Sequence, residues 1–148
     1  TVDVKKQWEE IKAKERAEKG EKKILDGIAL SLPALMRAQK IQSRVSHVGF
    51  DWPDSDGPRS KILEELAEVA EAVDADHRAE EVGDLLFAVV NYARHLGVDA
   101  EAALANANDK FARRFGHVEA AAGSKLGEMT IDQLDELWVS AKAKEKQK

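Results

Sequence analysis

The stretch from Lys61 to Ala93 restricts the possible folds more than any other part of the chain. It reads KILEELAEVAEAVDADHRAEEVGDLLFAVVNYA and contains two segments whose apolar residues recur at helical spacing, on either side of a short break. A short connection between two helices makes them antiparallel neighbours. The sequence therefore predicts a helical hairpin near the middle of the chain, with Asp76 as the cap of its second helix.

Glycine and proline divide the rest of the chain into further segments with helical periodicity. Sustained alternation of apolar and polar residues, which is typical of β-strands, is absent from the sequence. Outside the hairpin, the predicted helices cover residues 3–19, about 33–47, about 99–122 and a final amphipathic segment from about 130. We therefore predict an all-α protein.

Composition narrows the class of protein. A chain of 148 residues with 43% hydrophobic content is long enough for one domain with its own core. The absence of cysteine fits a reducing compartment, and no apolar run approaches the roughly 18 residues of a membrane span, so we expect a soluble cytoplasmic protein without membrane partners. A formal net charge of -5 argues against nucleic acid as a partner.

Four carboxylates stand at matched positions on the two central helices. Helical spacing places Glu65 and Glu68 beside the apolar stripe of the first helix. On the second, LLFAVVNYA is apolar nearly all round and predicts a helix buried on most faces, along which Glu81, Asp84 and Asn91 form one polar line. Converging acids without an interleaved cation would repel one another. Mg²⁺, which prefers oxygen ligands and shares its shell with phosphates, would remove this conflict.

Two other interpretations compete with a magnesium site. Glutamate-rich helix faces are most often solvated, and this applies to Glu64, Glu68 and Glu71 more than to Asp84. A di-iron carboxylate bundle requires Glu-x-x-His pairs, which the sequence lacks. All the histidines are therefore predicted to be ordinary surface or core residues.

The helix after the hairpin supplies positive charge. With Phe111 and Phe115 facing inward, Lys110 and Arg114 flank one edge of the apolar stripe and Arg113 points toward solvent. Paired cations near a magnesium cluster are suited to binding a polyphosphate chain, although three such cations on a helix are more often just a solvated face.

Several motifs in this order resemble one known family. KILEELAEVAEA, EEVGDLLFAVVNYARHLG and ANANDKFARRF are similar to the MazG nucleoside triphosphate pyrophosphohydrolases, whose signature is Glu-Glu-x-x-Glu followed by Glu-x-x-Asp. The likeness extends to SLPALMRAQKIQ, VGFDW and ELW, so it covers nearly the whole chain. It is strongest to the C-terminal catalytic domain of the two-domain bacterial members.

The resemblance implies a fold and an activity. It implies a dimeric four-helix-bundle-type all-α fold in residues 31–148, with additional terminal helices, and a charged helix and linker in residues 1–30. The implied reaction is hydrolysis of nucleoside triphosphates to monophosphate and pyrophosphate, which serves nucleotide-pool house-cleaning. The implied cofactor is Mg²⁺, for which Mn²⁺ is a possible substitute.

The resemblance also implies roles for individual residues. The magnesium ligands would be Glu65, Glu68, Glu81 and Asp84. The residues predicted to bind the nucleotide, including Asn91 from the polar line, are Lys61, Glu64, Glu65, Asp84, Asn91, Lys110, Arg114 and Trp138. The predicted catalytic groups are Lys110, Arg114 and a general base, which is either Glu64 or Glu68. Residue spacing does not distinguish between these two glutamates. For Trp138, packing in the core or in a dimer is the competing interpretation.

Functions of other classes stay open from the sequence. A helical interaction module would carry its acids on the surface and would need no metal. A nucleotide sensor would bind the same ligand without hydrolysing it. Phosphoribosyl-ATP pyrophosphatases and the dUTP- or dCTP-selective enzymes share the expected chemistry.

Overall fold

The computed structural model describes residues 2–18, 20 and 23–146, and these residues form helices and connecting segments without a β-strand. The helices are α1 (Val2–Glu18), α2 (Ala34–Ser46), α3 (Asp56–Glu71), α4 (Ala75–His95), α5 (Ala100–Ala122), a short 3₁₀-helix (Gly123–Glu128) and α6 (Ile131–Lys146). The predicted all-α class is therefore confirmed. None of the described helices is long and apolar enough to cross a bilayer.

The predicted hairpin is formed by α3 and α4, which pack against each other across a link of residues 72–74. The cap of α4 is Asp74, not Asp76 as predicted, and the Asp74 carboxylate accepts a hydrogen bond of 2.8 Å from the backbone N–H of His77. Asp74 has the extended backbone that a capping residue needs, whereas Asp76 already lies in the first helical turn. At the other end, Gly97 follows α4 with a φ of 72°, as its position in the sequence predicts.

The chain forms two compact units, of which the first ends at Glu101 and the second begins at Ala102. In the first unit, α4 packs on α3 and on α2, and the buried Gln42 of α2 donates a hydrogen bond of 2.9 Å to the backbone carbonyl of Phe87. In the second unit, the ring of Phe111 on α5 lies 5.0 Å from that of Trp138 on α6, centroid to centroid. The predicted domain boundary near residue 30, the four-helix-bundle arrangement and the dimer stay predictions.

The apolar segment of α4 is only partly covered. Ala88 and Val90 are buried, but Leu86, Phe87 and Val89 keep 52%, 45% and 43% of their surface exposed. The sequence predicts more apolar faces on this helix than a single chain covers, and among the described residues of the first unit α2 and α3 are the helices that pack against it. An apolar strip of α4 is left open to solvent.

Candidate metal-binding and nucleotide-binding site

The hairpin brings three glutamates together. Glu65 and Glu68 lie one turn apart on α3, Glu81 faces them from α4, and one carboxylate oxygen of each lies within 4.8 Å of the others. We call these residues the glutamate triad. The sequence predicted this convergence from the matched spacing on two antiparallel helices.

Glu65 is buried and Glu81 is half-buried, and each has one carboxylate oxygen in contact with a neighbouring side chain. Glu65 is 5% exposed, and its Oε1 accepts from Lys61 Nζ at 3.2 Å. Glu81 Oε1 lies 3.2 Å from His77 Nε2. The Oε2 atoms of Glu65 and Glu81 are both buried and have no hydrogen-bond partner among the described residues. Such atoms carry a desolvation cost that a bound cation would remove.

The structure corrects two expectations about the charge around the triad. The acids were expected to converge without an interleaved cation, but Lys61 contacts Glu65 directly and Glu64 as well, each at 3.2 Å. His77, expected to be an ordinary histidine, contacts Glu81 through its imidazole ring. This contact could have been predicted from the sequence, because His77 and Glu81 stand four residues apart and therefore share a face of α4.

The third member of the triad, Glu68, has a raised pKa. A hydrogen bond shared with the Glu81 carboxyl group, the negative charge of Glu65 and partial burial raise the pKa of Glu68 to about 7. An isolated glutamate would be fully ionised at that pH. Crowding of the carboxylates therefore favours the protonated form of Glu68, and a hard cation among them would remove this effect.

Other predicted residues of the first unit lie at the edge of the triad or farther along α4. Glu64 is exposed, and its Oε1 accepts from Lys61 Nζ. Hydrogen bonds to Glu65 and then Glu64 raise the pKa of Lys61 above its usual range. Asp84 is exposed and lies outside the group of converging oxygens, so its role as a fourth ligand stays a prediction. Asn91 is half-buried, and its Oδ1 accepts from Arg94 Nη2 at 2.9 Å.

The second unit contains the predicted cations, and its α6 adds a residue that the sequence analysis missed. Glu145 accepts from Arg113 Nε at 2.9 Å and from Arg114 Nε at 2.6 Å, and these bonds, with Arg114 first, lower the Glu145 pKa. The Arg113 side chain is 57% exposed and that of Arg114 only 18%, which is the predicted order. Lys110 is exposed. The Arg114 guanidinium lies 6.0 Å from the ring centre of the half-buried Trp138.

A cavity of about 530 Å³ lies between α2, α4 and the loop that follows α2. The sequence analysis did not predict it. Its wall includes three aromatic rings and the side chains of Gln42 and Asn91; the aromatic residues are Phe50, Trp52 and Phe87. The feature of the sequence that could have indicated the cavity is the presence of two apolar residues, Phe50 and Trp52, in an otherwise polar loop.

A helical hairpin that brings three glutamates together, two of which have a carboxylate oxygen without a partner among the described residues, defines an all-α protein with a candidate divalent-cation site. Residues 58–119 match the family model described as the MazG nucleotide pyrophosphohydrolase domain. The resemblance to the MazG family that the sequence indicates is therefore confirmed over these residues.

Three curated relatives extend the likeness over most of the chain. A nucleoside triphosphate pyrophosphohydrolase of Escherichia coli (strain K12) is 49% identical over 146 residues, which is 93% of this chain and 56% of the relative. The nucleoside triphosphate pyrophosphohydrolase/pyrophosphatase MazG of Thermotoga maritima is 47% identical over 140 residues, or 93% of this chain and 54% of the relative. The uncharacterized protein YabN of Bacillus subtilis is 40% identical over 151 residues, 97% of this chain and 31% of the relative. The chain thus spans about half the length of the two named pyrophosphohydrolases.

Proposed function

We propose that this protein hydrolyses nucleoside triphosphates to nucleoside monophosphate and pyrophosphate with a divalent cation, Mg²⁺ or in its place Mn²⁺, at the glutamate triad. The observation that carries the proposal is the pair of buried, unpartnered Oε2 atoms of Glu65 and Glu81 within a group of three carboxylates. The match to the MazG family model and the activity named for two relatives support the same reaction class.

The donor set fits a hard cation. It consists of carboxylate oxygens, which Mg²⁺ and Mn²⁺ prefer over nitrogen or sulfur. Glu65, Glu68 and Glu81 would hold the ion, and Asp84, one turn beyond Glu81 on α4, is proposed as a further ligand. When bound, such an ion neutralises phosphate charge and lowers the pKa of a coordinated water.

The general base is proposed to be Glu64. Glu68 belongs to the triad, whereas Glu64 is exposed beside it and only its Oε1 is engaged, by Lys61. The Glu64 carboxylate would accept the proton of the attacking water as the bond between the α- and β-phosphates breaks and pyrophosphate leaves. Lys61, on the same face, would hold Glu64 in position through the 3.2 Å contact.

Lys110 and Arg114 are proposed to contact the phosphates. Lys110 has an exposed ammonium group, and Arg114, whose Nε–H is donated to Glu145, would offer the N–H donors of its Nη atoms to a phosphate group. Trp138 is half-buried against Phe111, which favours packing as its main role; contact with the nucleotide stays a prediction.

The open strip of α4 supports a homodimer. Leu86 and Val89, which are neighbours on one face of α4, are 52% and 43% exposed, and burying this strip against a second copy would be favourable. A role in nucleotide-pool house-cleaning without nucleic acid as a partner follows from the proposed reaction and the net charge of -5.

The deciding experiment measures pyrophosphate release from a panel of ribonucleoside and deoxyribonucleoside triphosphates, with Mg²⁺ and with EDTA. We expect release that requires the metal and that is lost in Glu81→Gln. Glu80→Gln is the matched control, since Glu80 is the exposed neighbour of Glu81 on α4 and lies outside the triad. Nucleotide binding without pyrophosphate release would indicate a nucleotide sensor instead. If the protein neither binds nucleotide nor releases pyrophosphate, a helical interaction module is the alternative that remains.

A further inference from the structure

A smaller cavity lies between α1 and the last turns of α2, and its wall shares no residue with the glutamate triad or with the larger cavity's aromatic rings. Its volume is about 170 Å³. On α1 the wall residues are Glu9, Lys12 and Arg16, and from α2 and its cap they include Lys40 and His47. Spacings of three, four and seven residues place each set on one face of its helix, so two helix faces line this cavity.

The wall of this cavity is positively charged in a protein that is negatively charged as a whole. Four of its seven residues are lysine or arginine and one is an acid, whereas the chain has a formal net charge of -5. The acid, Glu9, is already engaged, because its Oε1 lies 3.1 Å from Nε2 of His47. An excess of positive charge therefore remains in the wall, and such a concave surface attracts anions.

Two of the cations have no counter-ion in the part of the chain that the structure describes. The side chains of Arg16 and Lys40 form neither a hydrogen bond nor an ion pair there, and Arg16 is half-buried. A half-buried guanidinium group loses part of its hydration, and this loss is not compensated when no acceptor is present. The two like charges also repel each other across the cavity. An anion between them would relieve both penalties.

Two further cations of the wall are held by their own contacts. Arg44 Nη1 donates to the backbone carbonyl of Ile24 at 3.0 Å and to that of Asp26 at 2.7 Å, so Arg44 is not counted among the groups that would bind a ligand. The Lys12 ammonium group lies 5.1 Å from the ring centre of Trp8. Because the π face attracts the cation without accepting all of its hydrogen bonds, N–H donors of Lys12 remain for an anion.

We propose that this cavity binds a small phosphate anion, inorganic phosphate or pyrophosphate, through Lys12, Arg16 and Lys40. Its volume of about 170 Å³ lies below the range of about 300–1,000 Å³ that is usual for drug-sized ligands, so it suits one or two phosphate groups rather than a nucleotide. Arginine offers paired N–H donors to phosphate oxygens, and lysine adds a point charge. The site is independent of the proposed hydrolysis, because its residues belong neither to the triad nor to the second unit.

Calorimetry in EDTA with inorganic phosphate and with pyrophosphate tests the site without a metal. The protein carries Lys110→Ala and Arg114→Ala, so that the cations proposed to contact the phosphates of the substrate cannot contribute. We expect one bound anion per chain at physiological ionic strength, with an affinity that falls at least about tenfold in Arg16→Ala and in Lys40→Ala, because a hydrogen bond to a charged group is worth roughly that factor or more. Tighter binding of pyrophosphate than of phosphate would assign two phosphate groups to the cavity, and equal binding would assign one.

Two matched variants control for the loss of charge. Lys14→Ala and Arg37→Ala each remove one cation from the same two helices, but Lys14 and Arg37 are exposed and lie outside the cavity wall. Test and control variants have equal net charge, so the long-range effect of charge on anion binding is the same in all of them. Both controls should therefore retain the parent affinity within about twofold. Circular dichroism on the same samples checks that helical content is unchanged.

The possible results separate this site from the proposed function. Equal affinities in Arg16→Ala, Lys40→Ala and the two controls would overturn the anion site, and so would the absence of binding by the parent protein. A single-stranded oligonucleotide that binds more tightly than pyrophosphate, and is lost in the same two variants, would assign the wall to nucleic acid and overturn the small-anion ligand. Anion binding without pyrophosphate release from any triphosphate by the wild-type protein would retain the site and overturn the proposed hydrolysis.

Discussion

Lys61 and Glu65 form an ion pair one turn apart on α3, with 3.2 Å between Nζ and Oε1, yet the second oxygen of Glu65 is buried and has no partner among the described residues. The lysine therefore satisfies half of the carboxylate and leaves the other half for a ligand. Because Lys61 is itself 42% exposed, it can remain beside the carboxylate when a cation binds the free oxygen. The pair explains how acids can be buried in the hairpin while a binding function is preserved.

Metal binding should stabilise the fold through the triad. We expect Mg²⁺ to raise the Tm measured by scanning calorimetry, because a ligand that binds only the native state stabilises it by about 2.7 kcal/mol at a hundred times its Kd. The shift should disappear in Glu81→Gln and persist in Glu80→Gln. A Tm that does not respond to Mg²⁺ in the wild-type protein would contradict the site.

The pH dependence of stability should carry the signature of Glu68. Its pKa is raised from an ordinary 4.5 to about 7 in the folded state, so the native protein binds more protons than the unfolded chain between these values. In EDTA, this group's contribution to the free energy of unfolding should therefore be fully present below about pH 4.5 and decline as the pH rises toward 7. Urea titrations of wild type and Glu68→Gln check this, with Glu71→Gln as the exposed control on α3. Equal pH profiles for all three proteins would show that Glu68 does not hold the proton.

Substitution of Asp84 tests whether this residue is a fourth metal ligand. Because the Asp84 side chain is exposed, Asp84→Asn should leave the Tm in EDTA nearly unchanged while pyrophosphate release falls by about 10² or more. Steady-state turnover and the melting curve are measured on the same preparation. A variant that keeps most of the wild-type turnover would restrict the ligands to Glu65, Glu68 and Glu81.

Side-chain exposure distinguishes the two neighbouring arginines that share a contact with Glu145. Arg114→Ala should lower kcat/KM by about 10² or more, since a cation that contacts phosphate in the transition state typically contributes a few kcal/mol. Lys110→Ala should resemble it, whereas Arg113→Ala, with a side chain that is 57% exposed, should stay within a few-fold of wild type. Pyrophosphate release at saturating Mg²⁺ compares the three variants. If Arg113→Ala is the impaired one, the helical phase taken from Phe111 and Phe115 is wrong.

The exposed apolar strip of α4 predicts that the protein forms a homodimer. Light scattering at micromolar concentration should give the mass of a dimer, and Leu86→Glu should give a monomer with unchanged helical content by circular dichroism, because it places a charge in the proposed interface. Leu30→Glu is the control, since Leu30 is 80% exposed and lies outside any helix. A monomeric wild-type protein with full activity would contradict the homodimer.

The parts of the structure that depend on local sequence were predictable. Apolar spacing and the short break at residues 72–74 predict the α3–α4 hairpin, and the hairpin geometry in turn predicts that Glu65, Glu68 and Glu81 meet. The choice between Asp74 and Asp76 as the cap could not be predicted from the sequence. Both are good capping residues, they stand two positions apart, and only the backbone angles distinguish them.

Contacts between residues that are far apart in the sequence could not be predicted. The contact of Asp51 with His95 connects residues 44 positions apart, and that of Glu145 with Arg114 spans 31 positions. Helical periodicity carries no information about such pairs, since it describes only which residues share a face of one helix. The cavity near Trp52 was missed for the same reason, because its wall comes from two helices and a loop.

His77 takes part in two kinds of bonding, and they are independent of each other. Its backbone N–H caps α4 through Asp74, while its imidazole ring contacts Glu81 of the triad. A cation that takes over Glu81 would release the ring but leave the backbone bond, so occupancy changes without breaking any main-chain hydrogen bond of the turn. Metal binding at the triad would therefore change side-chain rotamers and leave the main chain of the hairpin in place.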